Sequence, residues 1–293
     1  MNYSIMFVAA ILLVFISTVL ILRKLIPALK SKKMGQPILD IGPRWHKSKE
    51  GTPTMGGLGF IIPIAIVGIA GAIYLGVTDG FKSTLPLVMT LALGLAGGLI
   101  GCVDDLAKLK KKQNLGLKGW QKLGLQLLAS GLFLILLRRF GCLSEEIYVP
   151  FFNVSFHMNW ILYIFFAAFV IVGCVNAVNL TDGVDGLAAG VTLPVMVFFT
   201  VISFAYGKGT LALFPASLAA GLLAFLVYNF HPAKVFMGDT GSLFLGGAVC
   251  AMAFALDMPL VLILVGIIYI VETLSVILQV GYFKLTHGKR LFK

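Results

Sequence analysis

The side chains best suited to chemistry are acidic, and the densest group of them lies between two apolar runs. Residues 176–187 read N-A-V-N-L-T-D-G-V-D-G-L and include no Lys or Arg. This segment, which we expect to be a loop, carries Asn179, Asp182 and Asp185. Carboxylates at the rim of a membrane are unfavourable unless a ligand, a metal or distant cations complete them. Because a glycine such as Gly183 lets the backbone approach a ligand closely, the segment predicts a binding site completed by other segments.

A second acidic segment, D-D-L-A-K, holds Asp104 and Asp105 side by side. The two carboxylates repel each other, and Lys108 lies one helical turn beyond Asp104. One interpretation is structural: a helix cap together with an ion pair between Asp104 and Lys108. The other is a site that binds Mg²⁺ or deprotonates a phosphate, in which Lys108 and Lys122 hold the anionic oxygens. The residues alone leave both interpretations open.

Asp239 is the only carboxylate between residues 229 and 242, and glycines flank it. The structural interpretation is that Asp239 or Thr240 caps the next helix. The functional one is a ligand for a metal or a phosphate, beside Phe236, whose ring offers a face on which a base can stack.

A glycine-rich segment, G-T-P-T-M-G-G at residues 51–57, follows a basic stretch that contains Lys49. We expect a rigid turn that presents amides and hydroxyls, including that of Thr54, to an anion. Most lysines in such a stretch only interact with lipid headgroups. The segment by itself is therefore a weak indication of an anion site.

The composition requires a membrane. Of the 293 residues, 59% are hydrophobic and 12% charged, and the mean hydropathy is +1.00. A soluble domain of this size has too little interior for so much apolar surface. We therefore expect one all-α, polytopic transmembrane domain over residues 1–293. At about 20 apolar residues per span, nine runs qualify: 4–22, 55–75, 85–103, 122–137, 158–175, 187–205, 211–228, 242–256 and 259–282.

The net charge of +11 is distributed according to this topology. With spans of alternating direction, one side of the membrane holds every Lys and Arg except Lys82, Arg138, Arg139 and Lys208. The positive-inside rule makes that side cytoplasmic and places the amino terminus outside. The acidic and glycine-rich segments fall on the cytoplasmic side as well. The sequence offers no nucleic-acid-binding module, and its four cysteines lack the spacing of a zinc site or a disulfide frame.

Four segments resemble a known family, in order along essentially the whole chain. They are G-T-P-T-M-G-G, D-D-L-A-K, N-L-T-D-G-V-D-G-L-A and F-M-G-D-T-G-S-L. They resemble the polyprenyl-phosphate N-acetylhexosamine-1-phosphate transferases and, among these, the phospho-N-acetylmuramoyl-pentapeptide-transferases. The first and third segments are the most specific, since the other two occur more widely in the superfamily.

The resemblance implies transfer of phospho-MurNAc-pentapeptide from UDP to undecaprenyl phosphate, giving lipid I and UMP with Mg²⁺. It also implies a homodimer in the bacterial cytoplasmic membrane, with ten spans, an active site facing the cytoplasm and sensitivity to uridine-containing nucleoside inhibitors. The family has a histidine-rich P-x-H-H-H segment and a tenth span after K-R-L-F-K. Because this sequence stops at Lys293, we expect it to lack that last segment.

Roles carry over from the family position by position. Asp239 is the expected Mg²⁺ ligand, and Asp104 and Asp105 belong to the catalytic cluster, with Asp104 as the base that deprotonates the lipid phosphate. A covalent aspartyl-phosphate route stays open. Lys108 and Lys122 neutralise phosphate charge. The expected substrate-binding residues are Asp182, Gly183, Asp185 and Phe236 in the uridine pocket and Lys49, Thr54, Asn179 and Asn229 along the cleft.

Two alternatives are weighed against this interpretation. A sister enzyme using UDP-GlcNAc or another UDP-aminosugar has the same kinds of residue. A secondary transporter of an anionic metabolite would use Glu272 and the loop acids as coupling sites. The acids gather at one membrane face instead of the midplane, which argues against the transporter.

Overall fold

The computed structural model describes residues 3–31, 51–111, 116–150, 152–289 and 291, and within them the chain is a helical bundle. Nine of the described helices are long and apolar enough to cross a membrane, so the all-α, polytopic prediction is confirmed. The elements are α1 Tyr3–Ser31, α2 Leu58–Asp79, α3 Phe81–Lys111, α4 Gly119–Arg139, β1 Glu146–Val149, β2 Val154–His157, α5 Trp160–Thr181, α6 Leu187–Ala205, α7 Gly209–Asn229, α8 Gly238–Ala255, a 3₁₀ turn Pro259–Val261, α9 Leu262–Val265 and α10 Ile267–Leu285.

The predicted spans and the helices largely coincide, but several helices are longer than their apolar runs. Helix α1 continues from residue 22 to Ser31, and two others extend into the segments that carry the candidate site residues. Helix α3 continues through Asp104, Asp105 and Lys108, and α5 includes Asn179, which we expected in a loop. Neither extension contains Gly or Pro, so nothing in the backbone stops the helix where the side chains turn polar. The key side chains therefore lie on rigid helix ends.

The last predicted span, 259–282, is divided. A 3₁₀ turn and the four-residue α9 precede Gly266, and α10 begins at the next residue. A Cβ on Gly266 would lie 2.5 Å from the carbonyl oxygen of Leu262, so this position has no room for a side chain. Only 6% of the α10 span is buried inside the bundle, and the Tyr269 and Thr192 hydroxyls join it to α6 at 2.7 Å.

Helix α8 forms the centre of the bundle, with 94% of its span buried. It packs closely along α3, because Gly97 and Gly101 present no side chains there. A Cβ on Gly101 would overlap the carbonyl oxygen of Asp239, and one on Gly97 would overlap that of Leu243. Small residues allow such close helix contacts in membranes. This packing places the beginning of α8 beside the acidic pair of α3.

Strands β1 and β2 pair antiparallel in a short hairpin. Arg138, at the end of α4, pairs with Glu145 at 2.6 Å and lies over the Trp160 ring at 4.3 Å. Asp257 accepts a hydrogen bond from the Ser144 amide at 2.8 Å. Because Asp257 lies just beyond Leu256, the C-cap of α8, the hairpin lies at the end of the bundle opposite Asp239.

Candidate active site

Asp239 lies in the first turn of α8, and two lysines from different helices meet its carboxylate. Oδ2 is 2.6 Å from the Lys122 Nζ of α4 and 3.1 Å from the Lys108 Nζ of α3. Oδ1 accepts a hydrogen bond from Asn179 Nδ2 of α5 at 3.0 Å. All four side chains are partly buried, which strengthens the charge interactions relative to those in open water. The structure thus brings residues from four predicted segments to one carboxylate.

Asp104 is 3% exposed and its two oxygens have different partners. Oδ2 forms the expected ion pair with Lys108 at 2.7 Å, so this part of the structural interpretation is confirmed. Oδ1 accepts a hydrogen bond from the Leu117 amide, just before α4, at 2.8 Å. A Cβ on Gly116 would lie 2.6 Å from Oδ1, so the connection from α3 to α4 lies directly against Asp104.

Asp105 is 1% exposed and contacts the start of α8. Its Oδ2 accepts hydrogen bonds from the amide and hydroxyl of Thr240, at 2.9 and 2.7 Å, and its Oδ1 accepts one from the Asp239 amide at 3.2 Å. The structural interpretation, in which Asp239 or Thr240 caps α8, is wrong, because the N-cap position is Met237 and no side chain of this segment provides the cap. The free amides at the helix start are bonded by a carboxylate from α3.

Asp104, Asp105 and Asp239 bring carboxylate oxygens within 4.8 Å of one another. Carboxylate oxygens are the ligands that Mg²⁺ takes in proteins, usually one or two of them together with phosphate oxygens and water. The donor set therefore fits Mg²⁺, with Asp239 the most accessible of the three. Lys108 and Lys122 neutralise Asp239 in the absence of a metal.

Asn179 lies on a polar face of α5 that continues one turn deeper into the bundle. Its Nδ2 also donates to the hydroxyl of Ser242 at 2.7 Å, and Asn176 Nδ2 donates to Gln126 Oε1 on α4 at 2.8 Å. Lys122 and Gln126 are four residues apart and share one face of α4, and both contact side chains of neighbouring helices. These contacts hold α4, α5 and α8 together around Asp239.

The segment between α5 and α6 is joined to the segment between α7 and α8. The Asp185 side chain is 3% exposed, and its Oδ2 accepts a hydrogen bond from the Ala233 amide at 3.1 Å and lies 3.1 Å from His231 Nδ1. Asn229 is 2% exposed; its Oδ1 accepts from the Gly186 amide at 3.1 Å and its Nδ2 donates to the Val235 carbonyl at 2.9 Å. Both side chains stabilise the two segments, and their substrate-binding roles stay predictions.

Asp182 and Gly183 follow α5 directly and complete the same surface. Gly183 is exposed, whereas Asp182 is half-buried. Loss of hydration raises the pKa of Asp182 well above its usual range, and the negative charges of Asp239 and Asp105 act in the same direction. Asp182 therefore differs from an ordinary surface carboxylate in its readiness to hold a proton.

The glycine-rich segment packs against the segment that contains Phe236. The Gly56 amide donates to the Phe236 carbonyl at 2.8 Å, the Gly57 amide to the Met237 carbonyl at 3.0 Å, and the Phe236 amide to the Pro53 carbonyl at 2.8 Å. The Gly56 and Gly57 amides therefore bond to backbone instead of being free for an anion, whereas contact of an anion with the hydroxyls of this segment stays a prediction.

The remaining expected contacts of this region are incomplete. The Thr54 hydroxyl is buried and has no hydrogen-bond partner within the described residues. Phe236 is half-buried, so part of its ring remains available to a base. Lys49 lies outside the described residues.

Two features of the site were not recognised from the sequence. The spacing of Gly97 and Gly101 in an apolar run is a readable sign of close helix packing. Thr240 gave no such sign, because its partner Asp105 is 135 residues away in the chain.

Comparisons with known proteins agree with this arrangement. A model of glycosyl transferase family 4 matches residues 87–257. The chain is 44% identical over 282 residues to a phospho-N-acetylmuramoyl-pentapeptide-transferase of Latilactobacillus sakei, covering 95% of this chain and 84% of that protein. For the proteins of the same name from Clostridium novyi and Shouchella clausii the identities are 47% and 44%, covering 92% and 100% of this chain and 80% and 87% of theirs. By these matches, and with its acids and lysines assembled at the start of α8, the chain belongs to glycosyl transferase family 4 and, within it, to the phospho-N-acetylmuramoyl-pentapeptide-transferases.

Proposed function

We propose that this membrane protein transfers phospho-MurNAc-pentapeptide from UDP-MurNAc-pentapeptide to undecaprenyl phosphate, forming lipid I and UMP in peptidoglycan synthesis. The observation that carries the proposal is the single carboxylate of Asp239 held by Lys122 at 2.6 Å and Lys108 at 3.1 Å. A diphosphate bridged by a divalent metal needs an acidic ligand with cations next to it. Membership of the family supports the choice of substrates.

Asp239 is the residue that would hold Mg²⁺, with phosphate oxygens and water as further ligands. The metal supplies positive charge to the diphosphate when it is bound. Lys108 and Lys122, whose ammonium groups lie 3.1 and 2.6 Å from Asp239 Oδ2, would bind the phosphate oxygens of the donor. Fixed cations around a transferring phosphoryl group stabilise the charge that develops there.

Asp104 is the base in this proposal. It takes the proton of the lipid phosphate when Lys108 turns towards the donor. A lipid-phosphate oxygen then forms a bond to the β-phosphorus of the UDP-sugar, and the bond from that phosphorus to the bridging oxygen breaks. UMP leaves with the bridging oxygen and its electron pair. This direct displacement needs no covalent enzyme intermediate.

The nucleotide occupies the surface formed by Asp182, Gly183, Asp185 and Phe236, with Asn179 beside the metal. Asn229, Thr54 and Lys49 complete the cleft. The distribution of Lys and Arg supports a site that faces the cytoplasm of a bacterial cell. A homodimer and inhibition by uridine-containing nucleosides remain predictions from the family.

The test follows UMP release from purified protein with undecaprenyl phosphate and Mg²⁺, supplied with either UDP-MurNAc-pentapeptide or UDP-GlcNAc. We expect UMP from the muramoyl donor only. Asp239→Asn should abolish it, whereas Asp257→Asn, at the opposite end of α8, should not. About 27 Å separates the two ends, because an 18-residue helix rises about 1.5 Å per residue.

The other outcomes identify the alternatives. UMP from UDP-GlcNAc alone would move the chain to the sister activity. Folded protein that releases no UMP from either donor would contradict the transferase proposal. Counterflow of a labelled anion without product would then support a transporter.

A further inference from the structure

Both oxygens of the Asp105 carboxylate are bonded to the first turn of α8. The carboxylate accepts two hydrogen bonds from Thr240 and one from the Asp239 amide, and 1% of the residue is exposed. A metal ligand or a base must offer an oxygen to a metal or a substrate. Asp104 and Asp239 lie beside Asp105 and share the same lysine, so proximity alone does not distinguish the roles of the three acids. Their partners do.

The donors to Asp105 lie where a helix needs an acceptor. The first amides of any α-helix have no acceptor within the helix, and those of Asp239 and Thr240 belong to the first turn of α8. A negative charge at this end also interacts favourably with the helix dipole. Met237, at the N-cap position, offers no side-chain acceptor. Helix α3 therefore provides the cap of α8.

The backbone around the first turn of α8 is packed too closely for this turn to shift relative to Asp105. A Cβ on Gly238 would lie 2.6 Å from Asp105 Oδ2 and 2.7 Å from the Thr54 hydroxyl. A Cβ on Gly57 would lie 2.5 Å from the Cα of Gly241. The start of α8 is thus held between α3 and the glycine-rich segment, and the Asp105 carboxylate is the polar contact that fixes its register.

We propose that Asp105 is a positioning residue, which caps α8 from α3 and so directs the Asp239 carboxylate towards Lys108 and Lys122. The inference rests on the proposed function for its kinetic readout. It separates the two adjacent acids of α3: Asp104 deprotonates the acceptor, whereas Asp105 neither coordinates the metal nor exchanges a proton with substrate. One or two carboxylates are enough for Mg²⁺, so the cluster works with this division.

Thr240 provides the test, because its hydroxyl bonds to Asp105 and has no part in the proposed chemistry. Thr240→Val removes that hydrogen bond at constant shape, and Thr240→Ser retains it as the matched control. Both are compared with Asp105→Asn and with the double variant Asp105→Asn, Thr240→Val. The readouts are the kcat and KM of UMP release, Mn²⁺ binding followed by electron paramagnetic resonance without lipid acceptor, and thermal unfolding.

If Asp105 is a positioning residue, Thr240→Val should share the phenotype of Asp105→Asn. We expect kcat and Mn²⁺ affinity to fall about tenfold, as expected for one lost hydrogen bond to a charged group, while the KM for undecaprenyl phosphate stays unchanged. Thr240→Ser should recover both values. The double variant should be no worse than Asp105→Asn alone, because both changes remove one interaction.

Two results would overturn the inference. If Thr240→Val binds Mn²⁺ like the unmodified protein while Asp105→Asn does not, Asp105 is itself a metal ligand. If Thr240→Val only lowers the unfolding temperature, and folded protein keeps its kcat and Mn²⁺ affinity, the contact is merely structural. If no variant and no unmodified protein releases UMP, the proposed function fails, and the Mn²⁺ titration still decides the role of Asp105.

Discussion

Replacing Lys122 by Met should tighten metal binding while it slows the reaction. The Lys122 ammonium lies 2.6 Å from Asp239 Oδ2, and the two side chains are only 16% and 15% exposed. A cation that coordinates this oxygen must displace the ammonium. Methionine keeps the apolar stem and removes the competing charge. The metal therefore gains affinity, whereas the diphosphate loses a cation.

The two effects have different sizes. A hydrogen bond to a charged group contributes about 1.5–3 kcal/mol, and about 1.4 kcal/mol changes a binding constant tenfold. Lys108 at 3.1 Å and Asn179 at 3.0 Å remain on Asp239 in the variant, so we take the lower end and expect Mn²⁺ affinity to rise about tenfold. Removing one positioned donor from a transition state costs about 10²–10³ in kcat. We expect a loss of that order.

The assay titrates Mn²⁺ by electron paramagnetic resonance in the absence of nucleotide and then measures UMP release. Lys118→Met is the matched control, since Lys118 is exposed and lies one turn before Lys122; neither quantity should change. If Lys122→Met binds Mn²⁺ with equal or lower affinity than the unmodified protein, Lys122 does not compete with the metal for Asp239. The idea that Lys122 moves from Asp239 to the phosphates when a metal binds is then refuted.

Two further predictions concern stability. Gly101→Ala should prevent folding or lower the unfolding temperature sharply, because the added Cβ would overlap the Asp239 carbonyl. Gly124→Ala is the control and should be neutral or stabilising, since no atom lies within 4 Å of its new Cβ. Equal effects of the two substitutions on the unfolding temperature in detergent would contradict the close contact of α3 with α8. Asp182→Asn should become stabilising relative to the unmodified protein as pH rises. Because burial and the charges of Asp239 and Asp105 raise the pKa of Asp182 in the folded state, the unmodified protein loses stability as pH rises through that value, and the Asn variant does not. A pH-independent difference in unfolding temperature would argue against this.

The sequence predicted the spans because membrane burial leaves a strong local signal. Helix α6 has the bounds of its apolar run, 187–205, whereas α1 and α3 continue about eight or nine residues beyond their runs and the last run is divided at Gly266. The meeting of Asp104, Asp239, Lys108 and Lys122 followed from topology, since alternating spans bring these segments to one membrane face. Helix ends were less predictable, because polar residues such as Asn179 remain helical and α5 ends only at Thr181.

The contacts of each carboxylate depend on distant partners and were not predictable. Asp104 and Asp105 are adjacent and chemically identical. Only the packing of α8 against α3 determines that Asp104 bonds to Lys108 and Asp105 bonds to Thr240. The glycine-rich segment shows the same limit. Its free amides suggested an anion site, but the carbonyls of Phe236 and Met237 accept their hydrogen bonds.

The central position of α8 has a consequence for biogenesis. Its mean hydropathy of 1.2 is the lowest of the nine described spans, and 94% of it is buried inside the bundle. Insertion machinery reads the hydrophobicity of each segment as it emerges, so α8 enters the bilayer weakly by itself and depends on α3, synthesised far earlier, to retain it. Until α8 is inserted, Gly97 and Gly101 of α3 have no α8 backbone to pack against. Defects at this contact should therefore appear first as protein removed by quality control, before any change in turnover per molecule is seen.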